Sequence, residues 1–144
     1  MKIAIQQANY AKEKGEVPIG AVIIDAKKEI IALGRNMTKS LKDPTAHAEI
    51  IAIRRACNNL NSERLNGCSI YVTLEPCPMC ASAIGATHLK NLFYGASDPK
   101  SGGVERGPRI FSHNQAHFKT EIFNGFYEEE ISKLMKDFFL SLRS

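Results

Sequence analysis

Asp43-Pro44-Thr45-Ala46-His47-Ala48-Glu49 and Thr73-Leu74-Glu75-Pro76-Cys77-Pro78-Met79-Cys80 are the two stretches that decide the fold of this chain. Each passes from an extended, proline-containing segment into a run of helix formers. Cys77 and Cys80 are three apart, so in the first turn of a helix their side chains share a face. The N-terminus of a helix offers unpaired backbone N–H groups and the positive end of its dipole, which favour thiolate over thiol. His47 and Glu49 are two apart and on a regular helix point in different directions. Both reach one ion only if it lies off the end of the helix. The two stretches therefore predict two helix N-termini facing each other across a shared site.

One histidine and two cysteines can hold a zinc ion and leave its fourth position open. Three protein ligands plus a water mark a catalytic zinc, whereas structural zinc is closed by four. Glu49 can serve the open position as a proton carrier. The closed alternative also has candidates, because His113 and His117 have H-x₃-H spacing and could combine with Cys77 and Cys80. The segment between Cys80 and His113 reads as a strand and a glycine-rich loop, not as a compact finger helix, and a closed site gives the His47/Glu49 half no role. Cys57 and Cys68 read as small buried hydrophobes.

Outward from these stretches, the pattern predicts alternating helices and strands. Lys2 to Lys14 reads as a helix with Gly15 as its stop, and Ile19 to Asp25 as a buried strand. Ile30 to Leu33 is its hairpin partner across the polar turn Ala26-Lys27-Lys28-Glu29. A helix is expected from about Ala46 to Asn59, with Ile50, Ile53, Ala56 and Cys57 at three- and four-residue spacing. Ser69 to Leu74 is a second strand, Cys77 to about Ala86 a short helix, Leu92-Phe93-Tyr94 a strand and Thr120 to Phe123 an edge strand. The terminal helix carries Ile131, Leu134, Met135, Phe138, Phe139 and Leu142 as one apolar stripe, read as mostly core with a tip that could contact a bound partner. This order implies an α/β/α sandwich around a mixed, mostly five-stranded sheet, in one domain spanning residues 1–144.

Composition fits that reading. Of 144 residues, 44% are hydrophobic and 24% charged, ordinary values for a globular domain long enough to bury a core. The net charge of +4 permits a polyanionic partner without demanding one. The N-terminal residues lack the apolar core of a secretion signal and no apolar run reaches membrane-spanning length, so a cytoplasmic location is expected. In a reducing compartment the four cysteines are thiols or metal ligands.

Glu16-Val17-Pro18-Ile19-Gly20-Ala21-Val22, Asn36, the two opening stretches and Tyr94-Gly95-Ala96-Ser97-Asp98-Pro99-Lys100-Ser101-Gly102 together resemble the cytidine-deaminase-like superfamily. Within it they look most like the bacterial tRNA adenosine deaminases, and the resemblance spans roughly residues 3 to 140. It implies one zinc per subunit on His47, Cys77 and Cys80, with Glu49 as the proton shuttle. It further implies that Asn36 hydrogen-bonds the target base, that the backbone of Ala48 helps orient it, and that Val17 and Pro76 wall the pocket with Asp98 nearby. A homodimer and a tRNA anticodon stem-loop are the implied partners. Lys100, Arg106, Arg109, Lys133, Lys136 and Arg143 are the candidate phosphate contacts. Free-base or nucleoside deamination is the alternative activity, since Asp43 to Cys57 also looks like guanine-deaminase relatives. A zinc-stabilised binding module without chemistry is a further one. The segment Gly103-Val104-Glu105-Arg106 and the pair Thr87-His88 depart from the tRNA branch's usual residues.

Overall fold

Apolar alternation along the strands decides which face of the sheet each helix covers. The computed structural model describes residues 1–116 and 118–143. Five strands, β1 (Gly20–Ile24), β2 (Ile30–Arg35), β3 (Ser69–Leu74), β4 (Asn91–Ala96) and β5 (Glu121–Phe123), form one sheet in the order β2-β1-β3-β4-β5. The β2-β1 and β1-β3 pairs are antiparallel, and β3-β4 and β4-β5 are parallel. Ala21 and Ile23, Ile70 and Val72, and Leu92 and Tyr94 recur with the two-residue period of a strand and are wholly buried. They pack with Ala48, Ala52, Ile53 and Ala56 of α2 (Ala48–Leu60) and with Ala81 and Ile84 of α3 (Pro78–Ala86). On the other side, Ile5 of α1 (Lys2–Glu13) and Ile131 of α4 (Glu128–Ser141) close a smaller cluster with Leu74 and Ala96.

Two glycines set how close the helices lie. A Cβ at Gly34 would fall 2.2 Å from the Ala48 carbonyl oxygen, and one at Gly20 would fall 1.9 Å from that of Ala4. No side chain fits at either contact, so α2 and α1 each rest directly on strand backbone.

The elements match the expected order, and their boundaries differ informatively. The second helix begins at Ala48, not Ala46, because the Asp43 carboxylate captures the Thr45 N–H (2.9 Å) and hydroxyl (2.7 Å) and builds a turn first. His47 is left as the extended residue before the helix. The third helix likewise begins at Pro78, whose fixed φ suits a first helical position, leaving Cys77 just outside it. The terminal stripe is not all core. Only Ile131 and Phe138 are buried in α4, while Phe139 and Leu142 are 45% and 60% exposed.

Because β1 runs antiparallel to β3, and β4 parallel to it, one end of the sheet gathers four chain segments. These are the entry to β1 (17–19), the exit of β2 (36–38), the exit of β3 (75–80) and the exit of β4 (96–101). Glu16, 1% exposed, ties two of them together. Its carboxylate accepts the Ser40 N–H and hydroxyl, both at 2.7 Å, the Lys39 N–H at 3.1 Å and the Thr38 hydroxyl at 3.4 Å. Burial raises its pKa, and these hydrogen bonds outweigh burial and hold it below the ordinary carboxylate value. A carboxyl depressed in the folded state stabilises the fold above its unfolded pKa and loses that contribution as pH falls through the folded value. Glu16→Gln is therefore expected to lower stability by about 2 kcal/mol at pH 7. In denaturant titrations at falling pH, the gap to the parent protein should narrow below pH 4.5, the ordinary glutamate value. A gap constant down to pH 3 or below would refute this account of Glu16.

Candidate active site

His47 and Cys77 are both the last extended residue before a helix, with φ/ψ of −73°/157° and −70°/171°. In each case the backbone carbonyl already accepts the first helical bond, from Ile51 (3.0 Å) and from Ala81 (2.8 Å). The side chains are therefore released sideways off the helix ends, where they meet. His47 Nδ1 lies 3.7 Å from Cys77 Sγ and 3.4 Å from Cys80 Sγ, and the three donor atoms fall within 4.8 Å of one another. No other group of three such donors is found among the described residues.

The electrostatics of the cluster follow from this crowding. The Cys80 thiol donates to Cys77 and, with help from His47 and against burial, holds the Cys77 thiol down to about 4. Cys80 is pushed strongly up, by that same bond and by burial. Cys77 raises the His47 pKa, with burial opposing and Glu49 and the Pro44 backbone assisting. Nδ1 of the imidazole faces both sulfurs, which places it as the ring's ligating atom. The two sulfurs and the imidazole converge on a place that a divalent ion would fill. An imidazole nitrogen and two sulfurs are the donor set of zinc, so the residues fit that ion.

Glu49 stands beside the cluster, only 4% exposed. Burial pushes its carboxyl up to about 7, against the pull of its own backbone N–H and of His47. A carboxyl poised near neutrality can both accept and return a proton. Glu49, His47 and Cys77 open onto a cavity of about 530 Å³.

The cavity brings together several of the residues singled out in the sequence. Val17, Asn36, Asp98 and Lys100 line it. Asn36 is 5% exposed; its backbone N–H bonds the Ile19 carbonyl, and its amide has no partner among the described residues. Ala48 and Pro76 do not line the cavity. Ala48 is wholly buried in the first turn of α2, and Pro76 is buried with its carbonyl taken by the Gly103 N–H at 2.8 Å.

Arg106 and Arg109 line a separate polar cavity that meets the first at Ser97. Lys133, Lys136 and Arg143 line neither; Lys133 pairs with Asp137 at 2.6 Å on the exposed side of α4. His113 is exposed, receives the Gln115 N–H at 3.2 Å, and is not part of the donor cluster. His117 lies outside the described residues.

Met135 and Phe139, part of the stripe read as mostly core, line the cavity together with Ser132 and Thr38. The signal was the width of the α4 stripe, broader than a helix with one buried face needs.

A family model described as MafB19-like deaminase matches residues 1–143. A tRNA-specific adenosine deaminase of Rickettsia felis is 48% identical over 144 residues, covering 99% of this chain and 100% of the relative. A solved structure from work on A-to-I editing by tRNA:A34 deaminases at the wobble position of transfer RNA superposes with a TM-score of 0.91. It is 47% identical and covers 93% of this chain and 96% of that one. The X-ray structure of guanine deaminase from Bacillus subtilis is 43% identical with a TM-score of 0.64, over 67% of this chain and 61% of that one.

The donor cluster makes a direct prediction. Purified protein should carry about one divalent ion per chain by elemental analysis, released by a strong chelator. Cys80→Ser should abolish that stoichiometry. Full metal content in the variant would exclude this cluster as the site.

Proposed function

The chain belongs to the MafB19-like deaminase family, and we propose that it converts the wobble adenosine of a tRNA anticodon to inosine, releasing ammonia. The observation that carries this reading is the buried Glu49 carboxyl beside the His47, Cys77 and Cys80 cluster, at a cavity edged by Asp98 and Lys100. Near-full-length identity to the tRNA-specific adenosine deaminases supports the choice of base and substrate over free guanine.

His47, Cys77 and Cys80 would hold one zinc ion, which when bound polarises a water and lowers its pKa toward neutrality. Glu49 accepts a proton from the attacking water and delivers it to the ring nitrogen beside the attacked carbon, making that carbon electrophilic. The water oxygen bonds to that carbon, and Glu49 then carries the remaining proton of the new hydroxyl to the exocyclic amine. The carbon–nitrogen bond then breaks and ammonia leaves, so water and adenosine are converted to inosine and ammonia. Asn36 offers its unpartnered amide to the base edge, and Val17 flanks it. The apolar Met135 and Phe139 side chains give the base a surface to pack on.

The adenosine must leave its stack to reach Glu49, which costs little in a single-stranded anticodon loop. Lys100 stands at the cavity and Arg106 and Arg109 at the adjoining one, where they can meet phosphates of the flanking nucleotides. A homodimer in the cytoplasm completes the proposal; sedimentation showing only monomer at working concentrations would count against that part. Among the described residues no helix is long and apolar enough to cross a membrane.

The decisive assay incubates the protein with an anticodon stem-loop bearing a wobble adenosine, and separately with free guanine, cytosine and adenosine. Inosine should form only in the RNA. Glu49→Ala should keep its ion and lose at least about 100-fold in rate. Ammonia released from a free base alone would overturn the substrate, and undiminished turnover by Glu49→Ala would overturn the mechanism.

A further inference from the structure

Glu75 is 2% exposed and has no ion-pair partner among the described residues, yet its carboxylate is fully occupied. Oε1 accepts the Asp98 N–H at 3.0 Å. Oε2 accepts those of Val104, Glu105 and Arg106 at 3.1, 3.0 and 3.1 Å. All four donors are main-chain groups of one loop, the segment that leaves β4 and forms the cavity wall at Asp98, Pro99, Lys100 and Ser101. The chain around Glu75 adds to this grip, since its own N–H bonds the Ala96 carbonyl at 2.8 Å and the next carbonyl, of Pro76, receives Gly103. Cys77 follows directly. The far end of the loop is held too: Tyr94, wholly buried, donates its hydroxyl to Glu105, and Asn124 donates to the same carboxylate oxygen.

A buried carboxylate needs such saturation, and only a carboxylate can give it here, because both of its oxygens accept while an amide turns one acceptor into a donor. Together with the Pro76–Gly103 bond, these four bonds join the Cys77 segment to the loop that walls the cavity at Asp98. We infer that Glu75 is a positioning residue: it sets the distance between the metal-binding cysteines and the 98–106 loop, and so determines how substrate sits over Glu49. The inference rests on the proposed reaction for its kinetic consequence, while its structural part stands apart from it.

The test compares Glu75→Gln with the parent protein. The glutamine is expected to leave metal content near one per chain, raise KM for the anticodon stem-loop roughly 10- to 100-fold, and lower kcat by less. It should also speed tryptic cleavage after Lys100 and Arg106, a readout independent of activity. Gly102→Ala attacks the same link from the loop side, since a Cβ there would lie 2.5 Å from the Glu75 carboxyl carbon, and leaves residues 75–80 unchanged. It should reproduce both effects, and it decides alone if Glu75→Gln does not fold. Folded, metal-loaded variants with parental KM and parental trypsin resistance, differing only in melting temperature, would reduce Glu75 to a brace and overturn the inference. If the parent protein fails to deaminate the stem-loop, the proposed function falls, and the cleavage rates still decide the role of Glu75.

Discussion

Two side chains released from the ends of two helices are the constraint on which the site depends. His47 and Cys77 hold extended backbone angles while their carbonyls already belong to the helices that follow. Had either residue lain inside its helix, its side chain would have pointed back along the cylinder, away from the other. The position of each helix is in turn fixed by the sheet. Gly34 lets α2 rest on β2 at the level of Ala48, and Pro78 starts α3 directly after the exit of β3. The meeting of one imidazole with two thiols is thus a consequence of strand order and of two helix start points.

Three buried glutamates show how environment separates structural acids from a reactive one. Glu16 and Glu75 are each surrounded by N–H or hydroxyl donors from a nearby loop, and each fastens that loop to the rim of the cavity. Glu49 is as deeply buried but lacks that ring of loop donors, and burial raises its pKa where hydrogen bonds lower that of Glu16. Desolvation without full compensation is what leaves a carboxyl able to exchange protons near neutrality. The same residue type serves as rivet twice and as proton carrier once.

Much of this was legible in the sequence, for physical reasons. Strands such as Ser69–Leu74 announce themselves by β-branched, alternating residues, and the H-x-E and P-C-x-x-C spacings carry their chemistry with them. The helix starts were less legible, because the Asp43 turn that delays α2 depends on a side-chain bond that competes with the first helical turn. The roles of Met135 and Phe139 were hidden as well. An apolar stripe does not say whether its partner is the core or a cavity, and only the docking of α4 beside β4 separates Ile131 from Phe139. The donors to Glu75 could not be read at all, since they are backbone groups with no signature in residue type.

Placement of Ser132, Met135 and Phe139 on the last helix makes the cavity a composite of separate parts of the chain. His47, Cys77 and Cys80 stand at the starts of α2 and α3, whereas these three side chains belong to α4, which packs on the other side of the sheet. A change in how α4 docks therefore alters the room above the donor cluster without touching a donor.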